Sequence, residues 1–414
     1  MALDPATDEL FLGILTAMGG FVEVGELTFA VNAGAKFGYS LLWIAGMGTV
    51  GIIVYGEMAG RVAAVRGQPV FNLIRERGGF DAGLVTLTAA TAVNVLTCAA
   101  EIGAVALVWQ LLADWPYRLW VVIAFLVLVL SVWVLPFRWI ERVFGLGGLL
   151  LVIYLVVALV EGPAWGDVGA ALMPNVPVLE SSQQYMLYAY YAVALTSSIM
   201  LPYETYFYSS GAVEDKWKPS DIALNRVIVI VGFVLGSLLC VSLIMIGSQF
   251  FGPRHVEPQL PGVVATSAAA QFGTAGLLVA VLGMFFAFAG AAIETGLCGA
   301  YNIAQFFGWP WGKFRRPAQA ARFHVLMFVA IVLGVAVLFT GVDPIMVTEY
   351  SVVFSAIALP LTYLPILIVA NDSQYMGEKT NGRLINTLGS VYLVIILAAS
   401  LAAIPLMIVT GAGQ

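Results

Sequence analysis

The sequence predicts an all-α polytopic membrane protein: eleven spanning helices built as an inverted repeat, with the first and sixth spans interrupted. Composition gives the first reason. Of 414 residues, 61% are hydrophobic and 10% charged, and mean hydropathy is +0.96. A soluble domain carries about 25% charged residues, so this chain has too few to cover a water-facing surface and must expose most of it to lipid. Patterning gives the second reason. The apolar residues form long continuous runs, not the alternating segments of about ten residues that mark barrel strands. Each run approaches the roughly 20 residues that a helix needs to cross a bilayer core. The third reason is the placement of glycine, proline and glutamate inside two of the runs.

In chain order the runs lie near 9–35, 40–64, 83–112, 118–136, 144–161, 185–210, 224–250, 273–306, 321–340, 346–370 and 386–410. They divide into two five-span halves, 1–162 and 185–370, followed by an additional span at 386–410. With the N-terminus in the cytoplasm, the outer side holds only Lys36, Arg118 and Arg254, and the rest of the 18 basic residues fall on the inner side. That asymmetry follows the positive-inside rule and sets the C-terminus outside, with a bacterial inner membrane as the expected location. The opening MALDPATD is acidic where a cleavable signal needs basic residues, so no leader is expected. Cys98, Cys240 and Cys298 lie in apolar runs without metal-ligand spacing and are expected to be buried small hydrophobes. The net charge of −6 reflects acidic loops and intramembrane carboxylates. It implies no partner beyond the lipid bilayer, and nothing suggests nucleic acid.

The first run contains GGFVEVGELTF, where Gly19, Gly20 and Gly25 surround Glu23 and Glu26. Intramembrane acids nearly always face a cavity or a partner, and unwound backbone is tolerated only where it lines such a cavity. The sixth run contains SSIMLPYETYFYSS, where Pro202 removes a helical hydrogen bond and Glu204 follows closely. The segments Glu23-Val24-Gly25-Glu26 and Leu201-Pro202-Tyr203-Glu204 share a register, each ending in glutamate at a corresponding place in its half. Paired broken helices of this kind mark a transporter binding site between inverted repeats. The plainer alternative makes Pro202 an ordinary kink and the acids paired core residues.

Glu23, Glu26 and Glu204 could supply three carboxylates to one cavity. Unpaired in a low dielectric they cannot all stay ionised, so a cation neutralises them or protons do. Oxygen ligands favour hard ions such as magnesium, calcium or manganese, and no His or Cys lies in either break to suit zinc or copper. Ser197, Ser198 and carbonyls freed by the breaks complete a candidate shell. A small amine or guanidinium would satisfy the same charges, with Phe21, Phe29, Tyr203, Tyr206 and Tyr208 as an aromatic wall, although aromatic residues on helices more often serve packing.

Four stretches carry a family resemblance: NAGAKFGYSLLW at 32–43, GQPVFNLIRERGG after the second span, AAEIG in the third, and SQYMGEKTNGRLINTLGSV at 373–391. With eleven spans in matching order, the chain resembles the Nramp family of divalent metal transporters along nearly its whole length. The resemblance implies the LeuT-type inverted-repeat fold of the amino-acid and sodium-coupled transporters (the APC superfamily), alternating access, a divalent cation as substrate, and no cofactor. It also implies a substrate site at Glu23, Gly25, Glu26, Ser198, Leu201, Tyr203 and Glu204. The family's own motifs are replaced, however. Its Asp-Pro-Gly-Asn is here Glu23-Val24-Gly25-Glu26, and its Met-Pro-His-Asn is Leu201-Pro202-Tyr203-Glu204. Loss of the soft thioether donor shifts the expected metal toward hard ions, with Glu23, Glu26 and Glu204 as ligands.

The family's proton path is reduced as well. Tyr203 and Tyr208 stand at its His positions and Cys98 at its Asp, which leaves Glu101 as the candidate proton-path residue and a proton as the candidate co-substrate. Glu294 and Ser351 are candidates for a further contribution, as is the segment of Glu349 and Tyr350. Glu57, four residues before Arg61, is expected to form a helix-face ion pair. Asn94 and Asn302 are expected to hydrogen-bond between helices. The rival readings are a transporter of an organic cation or small metabolite, and a channel or non-transporting sensor. An enzyme is not expected, since no nucleophile–base pair or phosphate-binding loop occurs.

Overall fold

The structure, a computed structural model, describes residues 13–14 and 22–412; Gly19, Gly20 and Phe21 lie outside the described residues. Glycine and proline punctuate the apolar runs into α1 (Val24–Phe37), α2 (Leu42–Arg66), α3 (Val70–Gln110), α4 (Tyr117–Val134), α5 (Phe137–Gly148), α6 (Val152–Val160), α7 (Trp165–Ala171), α8 (Ser182–Ile199), α9 (Pro202–Glu214), α10 (Ile222–Ile246), α11 (Pro261–Phe307), α12 (Ala321–Phe339), α13 (Pro344–Asn371), α14 (Ser373–Met376) and α15 (Arg383–Val409). Among the described residues, nine helical segments are long and apolar enough to cross a membrane. They coincide with nine of the expected spans. The other two expected spans, 9–35 and 185–210, are the interrupted ones, which supply α1 and the α8–α9 pair.

Two helices begin earlier than their apolar runs. The stretch GQPVFNLIRERGG is largely helical and opens α3, which pivots at Gly79 (φ 81°). Likewise α11 starts at Pro261 and pivots at Gly273 (φ 60°). Both glycines occupy the positive-φ region that other residues rarely adopt, so each long helix is two helices joined at a bend. Hydropathy alone locates only the apolar half.

The layering follows from how much of each helix is hidden. In the apolar windows of α2 and α3, 72% of residues are buried, against 17% in α4, 28% in α12 and 22% in α15. The last three therefore face lipid, while α2, α3 and the broken segments form the centre. Helix α1 packs on α8 and α10, α9 on α2, and α3 on α11 and α13. Small residues make the tightest crossing. A Cβ on Gly34 would sit 2.0 Å from the Ile244 carbonyl oxygen, and one on Gly247 would sit 2.1 Å from that of Val31.

The expected Glu57–Arg61 pair forms at 3.1 Å, and Arg226 joins it at 3.3 Å. All three cysteines are buried and free, as expected. Asn302 departs from expectation: its Nδ2 donates to Cys298 Sγ, one turn back on its own helix, at 3.6 Å. Asn94 of α3 meets the Cys298 thiol of α11, the interhelical contact expected of it.

Candidate functional site

Both breaks are built in the same way. At the first, Glu23 is extended (φ −105°, ψ 168°) and caps α1, whose first turn carries Glu26. At the second, Leu201 is extended (φ −65°, ψ 128°) and caps α9. Pro202 takes the first helical position, where its missing N–H is no loss, and Glu204 stands in that first turn. Glu26 and Glu204 are thus both the third residue of their helices. A carboxylate there benefits from the positive end of the helix dipole.

The acids are deeply buried: Glu23 is 2% exposed, Glu26 0%, Glu204 4% and Glu101 0%. Glu101 of α3 reaches the first break, where its Oε1 accepts the Val24 N–H at 2.9 Å. Glu23 Oε2, Glu101 Oε2 and both oxygens of Glu204 are buried without a hydrogen-bond partner, and the Glu26 carboxyl meets only the Cys240 thiol. Among the described residues none of these four groups enters an ion pair. Glu204 is within electrostatic reach of Glu23, Glu26 and Glu294, and the Cys240 thiol lies beside Glu26. Still, among the described residues no three His, Cys, Asp or Glu side chains close into a ready-made metal cage.

The neighbours of the breaks have fixed duties. Gly25 leaves room for what lies over it: a Cβ there would meet Val352 Cγ2 at 2.7 Å and Glu23 Oε1 at 3.0 Å. Ser197 Oγ donates to the Val352 carbonyl at 3.1 Å, tying α8 to α13. Ser198 donates to Leu195 of its own helix at 3.2 Å. Ser351 shares a 2.8 Å hydrogen bond with Thr97 of α3, so its hydroxyl already links two helices. Leu201 and Tyr203 are buried, and the Tyr203 carbonyl accepts from Cys298 Sγ at 3.3 Å.

Two cavities approach the first break from opposite ends of the bundle. One is lined by Val22, Phe207, Glu294, Glu141 and Lys313 among others, and Lys313 is paired there with Glu141. The other extends along α1 from Val24 to Asn32 and on to Glu257 and Glu349. Glu23 sits between the residues that line each.

Two like-built breaks, the first with a cavity on either side, set the frame, and the comparisons give the family. The family model described as "Natural resistance-associated macrophage protein-like", Nramp, matches residues 13–405. This chain belongs to the Nramp family. Its relatives include the divalent metal cation transporter MntH of Deinococcus radiodurans, 26% identical over 94% of this chain and 88% of the relative. MntH 1 of Pseudomonas aeruginosa is 25% identical over 94% and 89%. Among solved structures, the Eremococcus coleocola manganese transporter in complex with an aromatic bis-isothiourea compound has a TM-score of 0.79 at 20% identity, covering 96% of this chain and 86% of that one. MhsT in complex with L-phenylalanine has a TM-score of 0.61 at 14% identity, covering 96% and 98%. The Nramp fold, LeuT-like and all-helical, is therefore that of this chain, and the family is one of divalent metal transporters rather than enzymes.

Sequence reasoning missed the contacts that only folding creates. No spacing signals that Cys240 lies beside Glu26, that Thr97 holds Ser351, or that Lys313 and Glu141 meet across 172 residues.

Proposed function

We propose that this Nramp protein carries a hard divalent metal ion (magnesium, calcium or manganese) across a bacterial inner membrane, N-terminus inside, by alternating access. The ion is held between the breaks contributed by the halves 1–162 and 185–370. Glu23, Glu26 and Glu204 are its charged ligands, with Gly25, Ser198, Leu201 and Tyr203 around them. One observation carries this reading: Glu23 Oε2 and both Glu204 oxygens are buried without a hydrogen-bond partner, and the buried Glu26 carboxyl meets only the Cys240 thiol. Ionised carboxylates so placed need a cation, and their oxygens suit a hard one. The relatives' names supply the metal class. Because the three groups do not yet converge, the arriving ion draws them together, and that closure moves the bundle from one cavity to the other.

Glu101 is the proposed proton carrier. Its Oε1 holds the break closed at Val24, while its Oε2 remains buried and unpartnered. Uptake of manganese, magnesium and calcium into proteoliposomes containing a pH-sensitive dye tests both parts. Glu204→Gln should lower uptake at subsaturating metal about a hundredfold, the scale expected for a lost buried charge contact. The wild-type lumen should acidify during uptake. Wild-type rates in Glu204→Gln would overturn the ligand assignment, and a flat internal pH would overturn coupling.

A further inference from the structure

The cavity at the Lys36 end of the bundle has a chemistry of its own. Thr28, Phe29 and Asn32 of α1 form one wall, Tyr191 of α8 another, and Thr348 and Glu349 of α13 a third. Glu349 is 8% exposed, yet its Oε2 is buried without a hydrogen-bond partner. The neighbouring acid, Glu257, differs: it is half exposed and bound to Lys36 at 2.6 Å. The rim charge is thus already neutralised, and the interior one is not.

Asn32 and Thr348 add neutral oxygens to an otherwise largely apolar lining. Asn32 Nδ2 is engaged by the carbonyls of Thr28 and Pro258 at 2.9 and 3.0 Å, which orients its Oδ1 as an acceptor. Thr348 donates its hydroxyl hydrogen to the Pro344 carbonyl at 3.2 Å, which leaves its oxygen lone pairs available. Phe29 and Tyr191 pack edge to face at 5.8 Å and so hold each other in the wall. One carboxylate with neutral oxygens and no nitrogen or sulfur donor suits a hard cation that keeps much of its water.

We infer that this cavity is a second cation site, in which Glu349, Asn32 and Thr348 hold a hydrated divalent metal ion one step from the central breaks. The cavity reaches Val24, the residue after Glu23, so an ion leaving Glu349 arrives beside the first break. The inference rests on the proposed function for the ion's onward path, though not for its binding. With a single carboxylate and a retained water shell, the site is the weaker of the two and sets how the protein captures dilute metal.

Manganese alone, titrated into the purified full-length protein and counted by electron paramagnetic resonance, tests the inference. Wild type should bind two ions. Glu349→Gln should lose the weaker ion and keep the tighter, while Glu204→Gln should lose the tighter and keep the weaker. In vesicles, Glu349→Gln should raise the half-saturating metal concentration about fivefold and leave the maximal rate within about twofold. A thermal melt matching wild type confirms that each variant is folded, and Glu349→Asp should restore the second ion. An ion count that Glu349→Gln leaves at the wild-type value overturns the second site whatever the central site does, whereas a single wild-type ion lost in Glu349→Gln and kept in Glu204→Gln overturns the central site instead. Two ions in Glu204→Gln with one in Glu349→Gln would overturn the central assignment and support this one.

Discussion

Glu101 shows how one side chain serves a broken helix. Unwinding leaves first-turn N–H groups without intrahelical partners, and in the membrane interior no water replaces them. The Glu101 Oε1 takes the Val24 N–H from across the bundle. Removing the acceptor strands a buried donor, which costs about 1–3 kcal/mol. Glu101→Ala should therefore lower unfolding free energy in mixed micelles by about that amount, while Glu101→Gln, whose amide oxygen also accepts, should stay close to wild type. Equal stability of the two variants would show that the capping bond contributes nothing. Gly25 serves the same break by absence, since any Cβ there would press on Val352 and the Glu23 carboxyl.

At the scale of elements, the sequence disclosed the breaks and hid what holds them. Glycine and proline beside glutamate in two apolar runs are local signals, so the breaks at Glu23 and Leu201 could be read and their shared register predicted. The bends at Gly79 and Gly273 lie before or at the start of the long apolar runs, which is why α3 and α11 begin earlier than hydropathy indicates. Cross-helix ties such as Thr97 with Ser351 depend on rotations that no pattern encodes. So does the crossing of α1 with α10, where backbone meets backbone at Gly34 and Gly247. Neither carbonyl can rotate away as a side chain would, so Gly34→Ala should cost about 3 kcal/mol, the upper part of the usual overpacking range. Gly46, inside α2 with open space around its missing Cβ, is the control: Gly46→Ala should leave the unfolding midpoint at or slightly above wild type, because alanine is the better helix former. If both alanines are tolerated equally, the close crossing is not what fixes α1 in place.

The whole molecule combines a rigid frame with a divided interior. Lipid-facing α4, α12 and α15 surround the centre, and the tie of Glu57 to Arg61 and Arg226 anchors α2 to α10 at one end. Lys313, bound to Glu141, walls the cavity that holds Glu294. At the opposite end Glu349 lines the other cavity. Between the two, at the breaks, lie four buried acids that enter no ion pair among the described residues. Their family relatives are named for divalent metals, but the motif residues differ, Glu26 and Glu204 standing where the resemblance places amides. A larger negative charge at the breaks fits an ion whose own water is hard to remove and must be replaced by strongly attracting oxygens.

Crystals grown with manganese and measured at its absorption edge would locate the ion directly. The proposed function predicts an anomalous peak between the breaks, about 2.2 Å from oxygens of Glu23 and Glu204, with Glu26 drawn toward it. A peak elsewhere in the bundle, with those glutamates still apart and empty, would contradict it.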